Sequence, residues 1–313
     1  MQMLFVVNPG DDTFSVFTVN DENDPTQLTS LGAPINTLGQ FPVAIAYSRR
    51  HQTACVLNSG GRSNIACFSI SQKGVTPLPE TVRFLGLNQT NPPTGPANTV
   101  SDILFNQDQS QLLVSVKGSP TGTPGFIANF KVTSSRPFKL ASSAVKSTPH
   151  GGVLPFSMTL VRGTPDTVLN TDAAFGVSVS NINLKTGSII SSSSLAINNQ
   201  TATCWSSFSP RTGSFYLTDV GNARLTEVSV NQSGPTINLV ATHGLDGIGG
   251  RIDQSVASTR IGDFVYILAP GAGAVDVVRL VGPGEAVQIQ SFDVKASVPD
   301  LPISVQGMAV FLK

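Results

Sequence analysis

The chain has 313 residues, enough for two average domains or one large repeat fold. Only 12% are charged and the 19 basic and 19 acidic side chains cancel, so there is no basic excess to suit a nucleic acid, while 40% apolar content excludes a disordered chain. No apolar run is long enough for a membrane-spanning helix, and the wealth of Ser, Thr, Val, Gly and Asn is that of a β protein.

Met1 runs straight into a strand pattern, with no leader-like segment in front of it. One motif then recurs. An apolar strand meets a turn of Gly, Asn or Asp, and a second strand follows with period-two alternation, which is the hairpin signature. The hairpins run from Leu4 to Asn20, Ala54 to Ser71, Leu112 to Thr133, Thr167 to Asn183, Phe215 to Asn231 and Val265 to Val281. Ahead of each hairpin but the first comes a strand of small and apolar residues, beginning near Pro42, Val100, Pro155, Thr203 and Ser255. A weaker strand follows several of them, as at Val75, Ser188, Thr236 and Ala286. The last strand, from Ile303 to Leu312, has no hairpin behind it, just as the first hairpin has no strand ahead of it.

Four antiparallel strands repeating about every 50 residues are propeller blades. Counting inner strands predicts an all-β, six-bladed β-propeller filling residues 1–313 as a single domain, with seven blades as the alternative. The C-terminal strand is expected to join the N-terminal blade and so close the ring, leaving no open edge.

Three N-x-[ST] sequons, at Asn88, Asn199 and Asn231, sit between strand-like runs and suit a secreted glycoprotein. Of the three cysteines, Cys55 and Cys67 face each other across a hairpin, where a disulfide or two small buried side chains fit equally. Cys204 has no evident partner, and no zinc-type spacing occurs.

In a propeller, the connections into the inner strands and the turns after the second strands share one mouth. The connections bring Gln40, Phe41, Asn98, Asp102, His150, Phe156, Trp205, Arg251, Asp253, Gln254 and Gln306 there; the turns bring Arg62, Lys117, Asp172, Asp219 and Arg224. Asp102 is the one carboxylate inside an inner strand, where burial demands a partner or a function. His150 opens a glycine-rich connection and is, with Asp102, the candidate acid–base group; otherwise it is a loop residue. Phe41, Phe156 and Trp205 hold equivalent places, either as packing between blades or as walls for a planar apolar ligand. Asp253 and Arg251 are near enough in sequence for a simple ion pair. His51 and His243 read as structural. No catalytic triad order, nucleophile elbow, metal-binding helix or dinucleotide loop is present, so the expectation is no cofactor and no metal.

The hairpin from Phe5 to Val19 resembles the repeating units of lactonase-type propellers, and the stretch from Gly95 to Ser119 is similar to fungal secreted proteins of the carboxymuconate-cyclase-like group. The lactonising branch of that resemblance implies cations for an acidic substrate, a role open to Arg62, Lys117, Arg224 and Arg251. A second branch of small fungal propellers implies an intermolecular hetero-Diels–Alder reaction between a quinone methide and a terpenoid alkene, in secondary metabolism. Cycloaddition asks mainly for orientation and one or two hydrogen-bond donors. With so few titratable groups, the sequence favours this cofactor-free cyclase acting on a small apolar or aromatic metabolite. A lactonising enzyme or lactone hydrolase is the alternative, and a non-catalytic secreted binding propeller is the third reading.

Overall fold

The computed structural model describes all residues except 1, 20–23, 25, 120–121, 232–233, 303 and 313. Alternation of apolar residues about the turns produces six antiparallel sheets, arranged as the blades of a propeller. Blade 1 holds Gln2–Asn8, Thr13–Val19, Leu28–Ser30 and Ile35–Asn36. The inner strands of blades 2 to 6 are Pro42–Ser48, Val100–Phe105, Pro155–Leu160, Thr203–Phe208 and Asp253–Ser258, each followed by its hairpin and an outer strand. The hairpin strands are almost wholly buried because each sheet packs on both faces; Thr53–Asn58, Gln111–Val116 and Thr167–Asp172 are buried throughout.

Alternate residues of one strand serve opposite seams. Leu169 points into the seam between blades 4 and 5, where it meets Val177, Phe215, Leu217 and Val228. Its neighbour Val168 points the other way, to Leu113, Ile127 and Met158 of the seam between blades 3 and 4. Similar buried clusters join blades 1 and 2 around Phe14 and Phe68, blades 2 and 3 around Leu57 and Leu112, and blades 5 and 6 around Tyr216 and Ile267. Among the described residues no such cluster joins blade 6 to blade 1.

The expected last strand is the correction. Among the described residues, 304–312 form no strand, and the inner edge of Gln2–Asn8 stays unpaired; Ile303 lies outside the described residues. Gly307 carries the physical reason, since its φ of +90° takes the chain out of the extended region. The segment lies against blade 6, where Met308 to Leu312 face Tyr266 and Val275.

Cys55 and Cys67 are directly opposed in the register of their hairpin and form a disulfide. Cys204 is a buried free thiol. The sequon residues Asn88, Asn199 and Asn231 are exposed. Among the described residues no helix is long and apolar enough to cross a membrane.

Candidate functional site

The inner strands of blades 2, 3, 4 and 5 each lose register with their hairpin near the mouth, at Pro42/Ala44, opposite Ser115/Val116, at Pro155/Met158 and at Thr203/Ser206. A bulge of this kind redirects side chains and frees backbone amides. Buried freed amides must find acceptors, and the mouth is built from those acceptors. Asp102 Oδ2 accepts the Met158 N–H of the next blade at 2.7 Å, while its Oδ1 accepts the Ile103 N–H at 2.8 Å. Thr171 Oγ1 accepts the Ser157 N–H and Thr218 Oγ1 the Trp205 N–H, both at 3.0 Å. Ser157, Ser206 and Thr159 continue this hydroxyl ladder at 2.9 and 2.7 Å.

Two carboxyl groups are perturbed here. Burial lifts Asp102 to about 7 against the pull of its two amide bonds, and the charge of Asp253 raises it further. Burial likewise raises Asp253 to about 7. Its Oδ1 accepts the Gln254 N–H at 2.7 Å and its Oδ2 the Gly307 N–H at 3.1 Å. Lys117 is buried on blade 3, where its charge acts on Cys204. Its Nζ donates to Thr99 Oγ1 and to the Val100 carbonyl, both at 3.2 Å, and lies 4.8 Å from the centre of the Phe156 ring. Desolvation lowers it to about 8. Phe156 stands edge-on to Trp205 with ring centres 5.9 Å apart. Cys204 closes the group. Its Sγ donates to the Ile252 carbonyl at 2.9 Å, and burial pushes the thiol up to about 12, so it is not a nucleophile at neutral pH.

Of the residues singled out by sequence, Asp102, Lys117, Phe156 and Trp205 thus come together. The others have different surroundings. His150 is exposed on the outer strand of blade 4, with Nδ1 3.0 Å from Ser194 Oγ and its N–H on Ser192 Oγ. Arg251 is fully buried and fully used. It bonds Asp276 through Nε at 2.8 Å and three carbonyls of its own loop, those of Asp246, Ile248 and Gly249. The simple ion pair expected between Arg251 and Asp253 is therefore replaced by one with Asp276. Arg224 pairs with Asp219 at 3.3 Å. Gln254 is buried with its Nε2 on the Trp205 and Tyr216 carbonyls, and its Oε1 has no hydrogen-bond partner. Gln40 Oε1 accepts the Arg62 N–H at 3.1 Å, and the Phe41 N–H goes to Asp12 at 2.7 Å. Asn98 turns the chain with a φ of +56°, and Gln306 is exposed. Asp172 and Asp219 cap the amides of Val153, Leu154 and Thr201 in the connections. His51 and His243 bond the Gln109 carbonyl and Glu227.

Sequence reasoning left Cys204 out of the mouth and read Asp253, though placed there, only as an ion-pair partner. For Asp253 a signal existed, because it opens an inner strand as Asp102 does, within two residues of its start. Among the described residues no three His, Cys, Asp or Glu side chains gather as a metal site.

Comparison with known proteins adds the fold and no family. No family model matches, and no curated protein does. A putative 6-phosphogluconolactonase from Bacteroides fragilis is similar in structure, with TM-score 0.70, 17% identity, and 96% of this chain and 82% of that one covered. The periplasmic gluconolactonase PpgL of Pseudomonas aeruginosa has TM-score 0.65 and 15% identity, with coverage of 93% and 85%. A protein from Lactobacillus plantarum has TM-score 0.70 and 14% identity, with coverage of 93% and 82%. This chain shares the propeller fold of these structures.

Proposed function

We propose that the chain is a lactone-processing enzyme, a hydrolase or its lactonising reverse, working at the mouth on blades 3 to 6. The observation that carries this reading is the pair of buried carboxyls, Asp102 and Asp253, each raised to about 7, with the buried Lys117 linked to the same group through Cys204. A carboxyl of that pKa serves as acid or base near neutrality. In hydrolysis one carboxylate takes a proton from water as its oxygen attacks the lactone carbonyl. The Lys117 ammonium stabilises the developing oxyanion. The ester C–O bond breaks, the second carboxyl protonates the leaving alkoxide, and a hydroxy acid departs. Phe156 and Trp205 form an aromatic wall that selects a planar, largely apolar ring. The similar gluconolactonase-type structures support the reaction class.

This inverts the order expected from sequence, where the hetero-Diels–Alder cyclase stood first. Scarcity of titratable groups favoured that reading, whereas the few that exist are concentrated and perturbed. The disulfide supports export to an oxidising compartment.

Dihydrocoumarin and δ-gluconolactone, assayed from pH 5 to 9, test the reading. Turnover is expected for the aromatic lactone first, with a pH profile inflecting near 7. Asp102→Asn and Asp253→Asn should each lower kcat by about 10²–10⁴. Full activity in the double variant, or no turnover above buffer for either lactone, refutes it.

A further inference from the structure

Five seams between blades are filled by buried apolar clusters, and the sixth is not. On blade 6 a hollow of about 370 Å³ lies between Tyr266 and Val275 and residues 308–312. A second, of about 530 Å³, lies between Leu312 and residues 258–261. Among the described residues, the segment 304–312 has no strand partner, and the inner edge of Gln2–Asn8 is unpaired.

The segment is nevertheless tied to one carboxylate, that of Asp253, which takes the Gly307 and Met308 amides. Asp102 reaches from the inner strand of blade 3 to the Met158 N–H on the next inner strand. Asp253, at the start of the inner strand of blade 6, reaches in the same way to the Gly307 N–H. The tail thus supplies the amide that a blade-1 inner strand would supply, without being that strand.

We infer that residues 304–312 are a strap with two seats, latched on blade 6 through Gly307 and Asp253 as observed, or released toward the free edge of Gln2–Asn8, so that the sixth seam opens beside the mouth. Only one carboxylate holds the latch. Neither the strap nor Gln2–Asn8 contains a charged side chain. The titratable groups that act on Asp253 or its neighbours are Asp102 on blade 3, Cys204 on blade 5 and, through Cys204, Lys117 and Asp219. Cys204 stays neutral, so Asp102 is the group that repels the Asp253 charge. The latched carboxyl binds its proton more tightly than a hydrated one, because burial raises it. By linkage, release is increasingly favoured as pH rises from about 4 to about 7 and levels above that, because opening hydrates the carboxylate. The strap is therefore tightest in acid and loosest at and above neutrality.

Hydrogen exchange of the full chain at pH 5 and pH 8, corrected for intrinsic rates, tests this without substrate or turnover, and so separately from the lactone reading. Protection of 304–312 should fall about tenfold or more at pH 8, while Val100–Phe105 stays protected. Asp253→Asn should abolish the difference. Gly307→Ala, which meets no atom within 4 Å but disfavours the φ of +90°, should leave 304–312 poorly protected at both pH values. Protection of 304–312 equal to that of Val100–Phe105 at both pH values overturns the proposal. So does an unchanged pH difference in Asp253→Asn or Gly307→Ala.

Discussion

The seam between blades 4 and 5 and the seam between blades 6 and 1 are built from the same kind of strand and end differently. In the first, Leu169, Phe215 and Leu217 are at most 1% exposed and interlock across two complete sheets. In the second, blade 6 faces a single irregular segment, and Leu312 is 45% exposed. The contrast teaches that period-two patterning fills a seam only when both sides are sheets. A lone segment with Gly307 at positive φ cannot present its apolar residues on one face.

The largest test of this contrast is a truncation in the filled seam. Leu169→Ala or Leu217→Ala should cost about 2–5 kcal/mol, read from urea unfolding midpoints at constant slope. A loss below about 1 kcal/mol would remove the claim that this seam carries the fold.

A middle-sized effect comes from pH. Asp102 and Asp253 have folded-state values raised to about 7, above the ordinary 3.8. The folded state therefore holds more protons than the unfolded one across that window, and stability falls as pH rises from about 4 to 7 and then levels. The size is on the order of 4 kcal/mol per group as an upper bound. Asp102→Asn should flatten this slope in global unfolding, since its Met158 partner is held in a strand. Asp253→Asn should flatten it less, because its Gly307 partner is a segment that can part from the fold. Equal flattening by the two would erase the difference between the seams.

The smallest effect is expected at the open seam. Val310→Ala should change stability by less than about 0.5 kcal/mol. A cost approaching that of Leu169→Ala would mean that 304–312 is packed as firmly as a blade.

The blades were legible in the sequence because alternation and Gly/Asn turns are local signals. Of the site, Asp102, Lys117, Phe156 and Trp205 were legible from their places at strand starts and turns. His150 was not, since Gly151, at a φ of +71°, turns the chain so that the imidazole meets the outer-strand Ser194. Arg251 was misplaced because its partner, Asp276, lies on the third strand of its own blade, 25 residues on. The bulges that aim the mouth depend on which amides the next blade can satisfy, and no single strand's sequence encodes that.

The latch also bears on how the ring is assembled. Asp253 and Gly307 are 54 residues apart, whereas the edge of Gln2–Asn8 lies at the far end of the chain. In a chain still collapsing, closing the shorter loop is favoured by about 1.5 kcal/mol, from the logarithmic growth of closure entropy with length. In chain order residues 304–312 follow blade 6 directly, whereas Gln2–Asn8 precedes them by all the other blades. The tail's seat on blade 6 is the nearer one along the chain, and the entropy of closure selects it.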